Sequence, residues 1–221
     1  METVGLRPEQ DTPPAYAELH CLSNFSFLRG ASHPEELVAR ARALGYAALA
    51  FTDECSLAGV VRAHRAARET NLKLLIGSEF TLAEGTRLVL LAPDRDAYGQ
   101  LAELITEGRC AAAKGSYRLR QSDVERQAQR CLALWIPRDP FDEAEARAEL
   151  EWLGRVFAGH AWIAVELLRD GRDPERLAAL RALGVSTGLP LVAAGDVHMH
   201  ERARRPLQDV LTAIRRGETI A

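Results

Sequence analysis

The sequence predicts an α/β fold in which strands and helices alternate along most of the chain. Two observations indicate this: short apolar runs recur along the sequence, and the stretches between them contain helix-start signals. With 221 residues, 47% of them hydrophobic and 27% charged, the chain has the composition of an ordinary globular protein with a substantial core. A single α/β barrel commonly has this length.

Seven short apolar runs are the candidate strands. Such runs are typical of strands that are buried on both faces of a parallel sheet, so we expect all seven to be parallel. In chain order they are residues 17–20, 47–51, 72–76, 88–92, 132–136, 162–167 and 191–194.

Helices are expected to begin at three places between these strands. Segments 32–35 and 122–125 each have Ser three residues before Glu, which is the spacing of a capping box. Segment 173–174 is Asp-Pro, and Pro is favoured in the first turn of a helix. Residues 107–129 are polar and weakly patterned, so we expect a mobile excursion there.

Periodicity alone leaves two architectures open, a closed barrel and an open doubly wound sheet. No Gly-x-Gly-x-x-Gly or Walker-type loop follows any candidate strand. The strongest reason to choose a nucleotide-binding open sheet is therefore missing.

Composition also limits the class of protein. Residues 1–15 lack the basic start and apolar stretch of a signal peptide, and we expect a flexible leader there, followed by one domain over residues 16–221. No apolar run is long enough to cross a membrane. The cysteines at 21, 55, 110 and 131 form no Cys-x-x-Cys pair. The net charge of −3 argues against a domain whose main role is to bind nucleic acid. We expect a cytoplasmic protein with reduced thiols.

Imidazole and carboxylate side chains fall near the ends of four candidate strands. Since the carboxyl ends of parallel strands meet on one face, these side chains are expected to gather there, as ligands that suit zinc, manganese or iron. In chain order the candidates are His20, Asp53, Glu54, Glu79, Asp196 and His198.

Each candidate also has an ordinary structural interpretation. Asp53 is suited to capping a turn, Glu79 to a strand end, and His20 to a hydrogen-bonded core position. The pair Asp196 and His198 is the sharpest signal, because Asp-x-His after an apolar strand can direct both side chains to one side.

These segments resemble the motifs of a known family. Residues 16–30, from Tyr-Ala-Glu-Leu-His to Leu-Arg-Gly, resemble the opening motif of the polymerase and histidinol phosphatase (PHP) domain. Residues 51–54, 76–79 and 194–198 resemble later motifs of the family, in the same order. Residues 207–217 resemble the helix that leads toward the polymerase modules. Over residues 16–221 the chain is similar to the amino-terminal PHP domain of a bacterial C-family, polymerase III α-like DNA polymerase of the error-prone type.

The resemblance implies a distorted seven-stranded (β/α)7 barrel with, in intact members, a three-metal site for phosphoesterase or proofreading exonuclease chemistry. Five positions depart from that pattern, and one of them, Glu54 in place of a family His, could still ligate through oxygen. Leu22 replaces a family His and cannot ligate, and the permanent charge of Arg29 would repel a cation. Arg87 and Asp170 fall at or near the positions of further family histidines.

What remains would hold one divalent ion (zinc, manganese or iron) or none. We expect Arg29 and Arg87 to pair with the orphaned carboxylates, which would make the site a salt-bridge network. The main hypothesis is a degenerate site with a structural or partner-binding role. The alternatives are an active metal-dependent 3′–5′ exonuclease or phosphoesterase and, less favoured, an independent small-molecule phosphatase.

The resemblance also implies the partners. These are the polymerase modules of the same polypeptide, accessory mutagenesis proteins and, through the full-length protein, DNA, with no membrane. DNA synthesis would belong to the full-length protein and not to these 221 residues.

Overall fold

One seven-stranded sheet organises the chain, and its strand order follows the sequence. The computed structural model describes residues 14–138 and 140–219, so the expected leader lies outside the described residues except at positions 14 and 15. The strands are β1 Ala17–Glu18, β2 Ala48–Phe51, β3 Lys73–Thr81, β4 Arg87–Ala92, β5 Leu132–Trp135, β6 Ala161–Glu166 and β7 Leu191–Ala194.

All seven expected strands are present, but the prediction that all are parallel is wrong for β4. It runs antiparallel to both β3 and β5, while the other neighbouring pairs are parallel. β3 continues to Thr81 and returns through a short turn, closed by a 2.9 Å hydrogen bond from Leu82 N to Thr86 O. A parallel crossover needs about a dozen residues, and the connection between β3 and β4 is too short for one.

The two ends of the sheet meet along the segments that follow β1 and β7. Val197 N donates to His20 O at 2.9 Å, and Leu22 N donates to Val197 O at 2.8 Å. Cys21 and Val197 form a parallel bridge there. The sheet is therefore a nearly closed barrel, which confirms the distorted-barrel expectation and excludes the open sheet.

Seven α-helices within the described residues surround the barrel, and a 3₁₀ turn at Arg202–Arg204 leads into the last of them. They are α1 Pro34–Ala43, α2 Val60–Thr70, α3 Arg95–Cys110, α4 Gln121–Gln127, α5 Glu143–Val156, α6 Asp173–Thr187 and α7 Arg205–Arg216.

The helix-start predictions are correct for α6 and displaced for the other two helices. α6 begins at Asp173, with Pro in its first turn. α1 is capped one residue later than expected, at His33, whose N donates to Glu36 Oε2 at 2.8 Å. α4 begins at Gln121 and is preceded by Arg120, whose N donates to Asp123 Oδ2 at 2.8 Å. In both displaced helices an acidic third residue accepts from the cap backbone.

Three apolar clusters make up the core. The first fills the barrel with small and branched side chains from all seven strand regions, among them Ala50, Val89, Leu134 and Ala164. A second packs α1 and α2 against the outside of β2. The third and largest packs α3 to α6 against the outer faces of β3 to β7.

Residues 107–129 are packed and are not the excursion expected from their composition. Leu119 and Val124 are fully buried in the largest cluster. Ala83 N donates to Leu119 O at 2.8 Å, which ties this segment to the turn between β3 and β4. Three buried apolar positions in a polar stretch, these two and Ala128, were too few to show as a pattern.

All four cysteines are free, and only Cys110 is exposed. Within the described part of the chain, no helix combines the length and apolar character needed to cross a membrane.

Candidate functional site

The inward-facing alternation of the barrel strands ends in ionisable side chains at one rim. On β3 it runs through Leu75 to Glu79, and on β6 from Trp162 and Ala164 to Glu166. On β4, which runs in the opposite direction, it ends at Arg87. Side chains two residues apart share a face of a strand, so these three groups reach the same end of the barrel. Glu79 lies within β3. The sequence had suggested a position after that strand.

His20 lies fully buried at the centre of this rim. Its Nδ1 is 2.6 Å from Glu166 Oε1 and 3.7 Å from Asp196 Oδ1, and its Nε2 is 2.9 Å from Glu79 Oε2. Burial alone would lower the pKa of His20, but the hydrogen bonds with Glu166 and Glu79 raise it to about 10. The ring is therefore an imidazolium that donates from both nitrogens at neutral pH.

Arg29 lies beside His20 and joins two carboxylates. Its Nη1 donates to Glu54 Oε2 at 2.8 Å and to Glu79 Oε1 at 2.9 Å, while its Nη2 donates to Glu79 Oε2 at 3.0 Å. Arg87 Nη2 approaches the same carboxylate from the rim, 3.3 Å from Oε1. Burial opposes ionisation of Glu79, but hydrogen bonding from His20 and the charge of Arg29 hold its pKa well below the usual range. Both arginines thus contact the carboxylates with which the sequence suggested they would pair.

Asp53 does not join this cluster, although the sequence offered it as a ligand. Its Oδ1 accepts from Ser23 N at 2.8 Å and from Ser26 Oγ at 2.7 Å, and its Oδ2 accepts from Ser23 Oγ at 2.7 Å. These bonds hold the turn that leads to Arg29. Burial raises the pKa of Asp53 even though these serines favour its charged form.

The turn over residues 23–30 is tightly built. A Cβ on Gly30 would lie 2.0 Å from Ser23 O, so only glycine fits where the turn closes. Leu28 has a positive φ of 58°, which is uncommon for a branched residue. This backbone conformation immediately precedes Arg29, whose side chain points into the barrel mouth.

Asp196 and His198 face each other after β7. His198 Nε2 is 2.9 Å from Asp196 Oδ1, and Asp196 has a φ of 47°. Burial opposes ionisation of Asp196, but hydrogen bonding with His198 and the charge of His20 lower its pKa to about 2. Asp196 therefore faces the cluster as a carboxylate, and His198 contacts it from outside.

Two other positions depart from the family pattern, Leu22 and Asp170. Leu22 is fully buried at the seam of the barrel. Asp170 lies in the loop after β6, where it contacts Arg172 at 3.1 Å and Arg176 at 3.4 Å. The structure does not bring Asp170 to the site.

Two carboxylates at this rim were missed from the sequence. Glu166 ends β6 and binds His20, and the rule applied to the other strand ends would have found it. Glu18 lies within β1, where its Oε1 accepts from His20 N at 2.9 Å and Gly195 N at 2.8 Å. Burial raises the pKa of Glu18. A carboxylate inside so short a strand gave no sequence signal.

The donor set is suited to one metal ion at most. Ligand atoms of His20, Glu79 and Asp196 lie within 4.8 Å of one another, and the described residues contain no other such group of three. Both ring nitrogens of His20 and both oxygens of Glu79 are already paired, and the guanidinium of Arg29 occupies the space between Glu79 and Glu54. The residues do not fit a cluster of several ions.

The fold and this rim define a distorted seven-stranded α/β barrel with an ionisable cluster at its mouth. The chain belongs to the PHP domain family, whose model matches residues 18–169. The expected PHP resemblance is confirmed.

Relatives of this chain include error-prone DNA polymerases. One from Methylococcus capsulatus is 61% identical over 208 residues, which are 93% of this chain and 19% of that protein. Another from Dechloromonas aromatica is 58% identical over 212 residues, 94% of this chain and 20% of that protein. The chain thus spans about a fifth of the length of these relatives.

Solved structures share the fold at low sequence identity. A protein from Bifidobacterium adolescentis, described as a candidate metal-dependent phosphoesterase, has a TM-score of 0.62 at 17% identity, covering 84% of this chain and 88% of that one. An amidohydrolase from Chromobacterium violaceum, with bound sulfate and no metal, has a TM-score of 0.61 at 18% identity over the same shares.

Proposed function

We propose that this chain is the PHP module of an error-prone, translesion-type DNA polymerase, closest to the ImuC type, and that its barrel mouth is a structural ion-pair network. The observation that supports this most directly is the pairing of Arg29 with Glu79. A buried carboxylate that would otherwise serve as a metal ligand uses both oxygens to accept from a guanidinium.

The charges around Glu79 are balanced without a metal. Arg29 and Arg87 both contact it, and the His20 imidazolium donates to it from the other side. A buried charge is costly unless it is paired and hydrogen-bonded. Among the described residues, Glu79 has three such partners, which are His20, Arg29 and Arg87. A divalent ion would have to displace part of this network.

The proposed role is to brace the polymerase portion of the same polypeptide. The relatives are about five times longer than the segment that they share with this chain. That segment is 19% of one relative and 20% of another. The last helix exposes Leu207, Val210 and Ile214, and the nearby Phe27 is 83% exposed. Apolar surface of this kind is typical of a face that another part of a larger protein covers.

The remaining attributes follow from the same proposal. DNA would be contacted through the full-length polymerase, which would supply DNA synthesis in the cytoplasm. Accessory mutagenesis proteins are further candidate partners of the exposed faces. This module would itself be weak or inactive as a phosphoesterase.

Metal content and nuclease activity test the proposal together. The purified chain should contain well under one equivalent of zinc, manganese or iron, and should not shorten single-stranded DNA from its 3′ end when these ions are added. The variants Asp196→Asn and His198→Ala should behave like the wild type. About one bound metal, with nuclease activity that both variants abolish, would overturn the proposal.

An active metal-dependent exonuclease or phosphoesterase is the second candidate. The convergence of His20, Glu79 and Asp196 favours it. A metal held there would supply Lewis-acid activation of water. The pairing of both Glu79 oxygens with Arg29 argues against it.

A further inference from the structure

The helix α7 contributes nothing to the apolar core of the barrel. None of its residues belongs to the three apolar clusters that the described residues form. The helix α5, by contrast, buries Leu150 and Leu153 in the largest cluster. α7 has 12 residues, and helices of about this length are only marginally stable in water without tertiary packing. The barrel therefore supplies little of the packing that α7 needs.

The large apolar side chains of α7 form one stripe along the helix. They have the spacing i, i+3, i+4 and i+7, and they are Leu207, Val210, Leu211 and Ile214. Gln208, through which α7 is bound to the barrel, follows Leu207 by one residue and so lies about 100° around the helix. The barrel thus holds α7 by one side, and most of the stripe is left exposed.

Phe27 extends this stripe onto the barrel. A groove of about 280 Å³ is lined by Phe27 and Leu28 on one side and by Leu207 and Leu211 on the other. Isolated exposed apolar residues are common, but a contiguous apolar surface indicates an interface. The stripe and Phe27 together are called the α7 face below.

The main chain is fixed on both sides of Phe27. Ser26 Oγ donates to Asp53 Oδ1 at 2.7 Å, and Leu28 has a positive φ of 58°. An exposed aromatic side chain on a rigid turn loses little conformational freedom when a partner covers it. Buried aromatic residues also supply much of the binding energy of protein interfaces. Phe27 is therefore suited to anchor a partner.

The size of the groove and the length of the relatives indicate which partner this is. The groove is smaller than the roughly 300–1,000 Å³ of most small-molecule sites, so a small ligand is not its natural occupant. The relatives are about five times longer than the segment that they share with this chain. Most of such a protein lies outside the described residues and is available to cover the α7 face.

We infer that the α7 face docks the polymerase portion of the same polypeptide, and that α7 packs through it into the core of that portion and not into the core of the barrel. This inference rests on the proposed function, which makes the chain part of a longer polymerase. It adds that α7 is an element shared by the two modules. Gln208 binds α7 to the barrel, and the apolar stripe binds it to the neighbouring module.

The test compares the 221-residue chain with the full-length polypeptide by hydroxyl-radical oxidation of side chains, measured by mass spectrometry. Phe27, Leu207 and Ile214 should be oxidised at least about threefold more slowly in the full-length polypeptide, because a packed interface excludes water. Val61 on α2 and Val185 on α6 are exposed apolar residues outside the α7 face, and their rates should not change. Equal rates at the α7 face in the two proteins, or equal slowing at both valines, would overturn the inference.

The double variant Leu207→Gln/Ile214→Gln separates the two cores. Gln keeps a good helix propensity and removes the apolar surface. In the 221-residue chain the melting temperature should change by less than about 2 °C, because neither residue belongs to the core of the barrel. In the full-length polypeptide the oxidation rate of Phe27 should return to its value in the 221-residue chain. The matched control Val185→Gln should leave that rate unchanged.

Two results with the double variant would contradict the inference. A loss of more than about 5 °C in the 221-residue chain would show that α7 belongs to the core of the barrel. An unchanged rate at Phe27 in the full-length polypeptide would show that the stripe does not hold the partner.

A second copy of this chain is the competing occupant. Light scattering after size exclusion should show a monomer at micromolar concentration, and a dimer that slows oxidation at Phe27 would overturn the inference. The outcomes also separate the docking face from the proposed ion-pair network. Bound metal with nuclease activity would remove the network and leave the docking face standing. Equal oxidation rates in a chain without metal would remove the docking face and leave the network standing.

Discussion

The side-chain amide of Gln208 donates a 2.7 Å hydrogen bond to the main-chain carbonyl of Arg29. Gln208 is the only buried residue of α7. The large apolar side chains of this helix are partly exposed. The residue whose side chain neutralises the barrel mouth therefore also anchors the last helix through its backbone. The ion-pair network and the position of α7 are linked through a single turn.

This link predicts that Gln208→Ala loosens α7 while leaving the barrel intact. The loss of one buried hydrogen bond should cost about 1–2 kcal/mol of unfolding free energy. Hydrogen exchange should speed up in α7, and much less in β3 and β6, when followed peptide by peptide. The matched control is Asp209→Ala on the exposed side of the helix, which removes a surface pair with Arg205. Equal acceleration of exchange in both variants would show that Gln208 is no special anchor.

The Arg29 and Glu79 pair should account for a large part of the stability of the barrel mouth. Removal of Arg29 leaves the buried Glu79 carboxylate with only Arg87 and His20 as charged partners, so Arg29→Met should destabilise the chain by at most about 3–5 kcal/mol. Addition of Glu79→Gln should restore part of that loss, giving an interaction free energy of about 1–3 kcal/mol in a double-mutant cycle. Urea unfolding of the four proteins checks this. Additive effects would mean that the two side chains are in contact but energetically independent.

The strands and the rim were largely predictable because both follow from short-range patterns. Apolar runs located all seven strands, and the rule that polar groups gather at strand ends found His20, Glu79 and Asp196, which do converge. The direction of β4 was not predictable from apolar runs, which carry no information about strand direction. It depends on where β3 ends, and β3 is longer than its apolar run because it includes Ser78 and Glu79.

Other parts of the site depend on long-range contacts that the sequence does not show. Asp53 is close in sequence to Glu54, yet it holds the Ser23 turn while Glu54 pairs with Arg29. Asp170 falls near a family ligand position but lies outside the site, next to Arg172. Which of two neighbouring carboxylates enters a site is decided by backbone direction after the strand, and no composition rule gives that direction.

The thiols should differ sharply in reactivity. Burial raises the pKa of Cys21 well above its ordinary value, that of Cys55 to about 11 and that of Cys131 to about 12. Since the thiolate is the reactive form, only the exposed Cys110 should react quickly with a thiol reagent in the native state. Ellman's reagent should titrate one thiol before denaturation and four after it. Cys110→Ser should abolish the fast phase, and fast reaction at two or more thiols would contradict the packing around the barrel.

The imidazolium of His20 predicts a stability loss in mildly alkaline solution. The folded pKa is about 10 and the ordinary value is 6.5, so above pH 6.5 the folded chain keeps a proton that the unfolded chain releases. The unfolded state then binds fewer protons, and the unfolding free energy falls as pH rises, by at most about 1.4 kcal/mol per pH unit for this one group. Below about pH 7.5 the buried cysteines contribute little, because the unfolded thiols titrate near 8.5, and above it their contribution is common to wild type and to a His20 variant.

The measurement is urea unfolding of wild type and His20→Gln at half-unit steps from pH 6.5 to about 8.5. Wild type should lose stability steadily, while the variant, less stable at pH 6.5 because Glu79 and Glu166 lose a cationic partner, should show a flatter profile. The two curves should therefore converge toward pH 8.5. His33→Gln at the start of α1 is the matched control and should keep the wild-type slope. Parallel profiles for wild type and His20→Gln would mean that His20 is neutral in the folded chain, and the double-donor description of the barrel mouth would then be wrong.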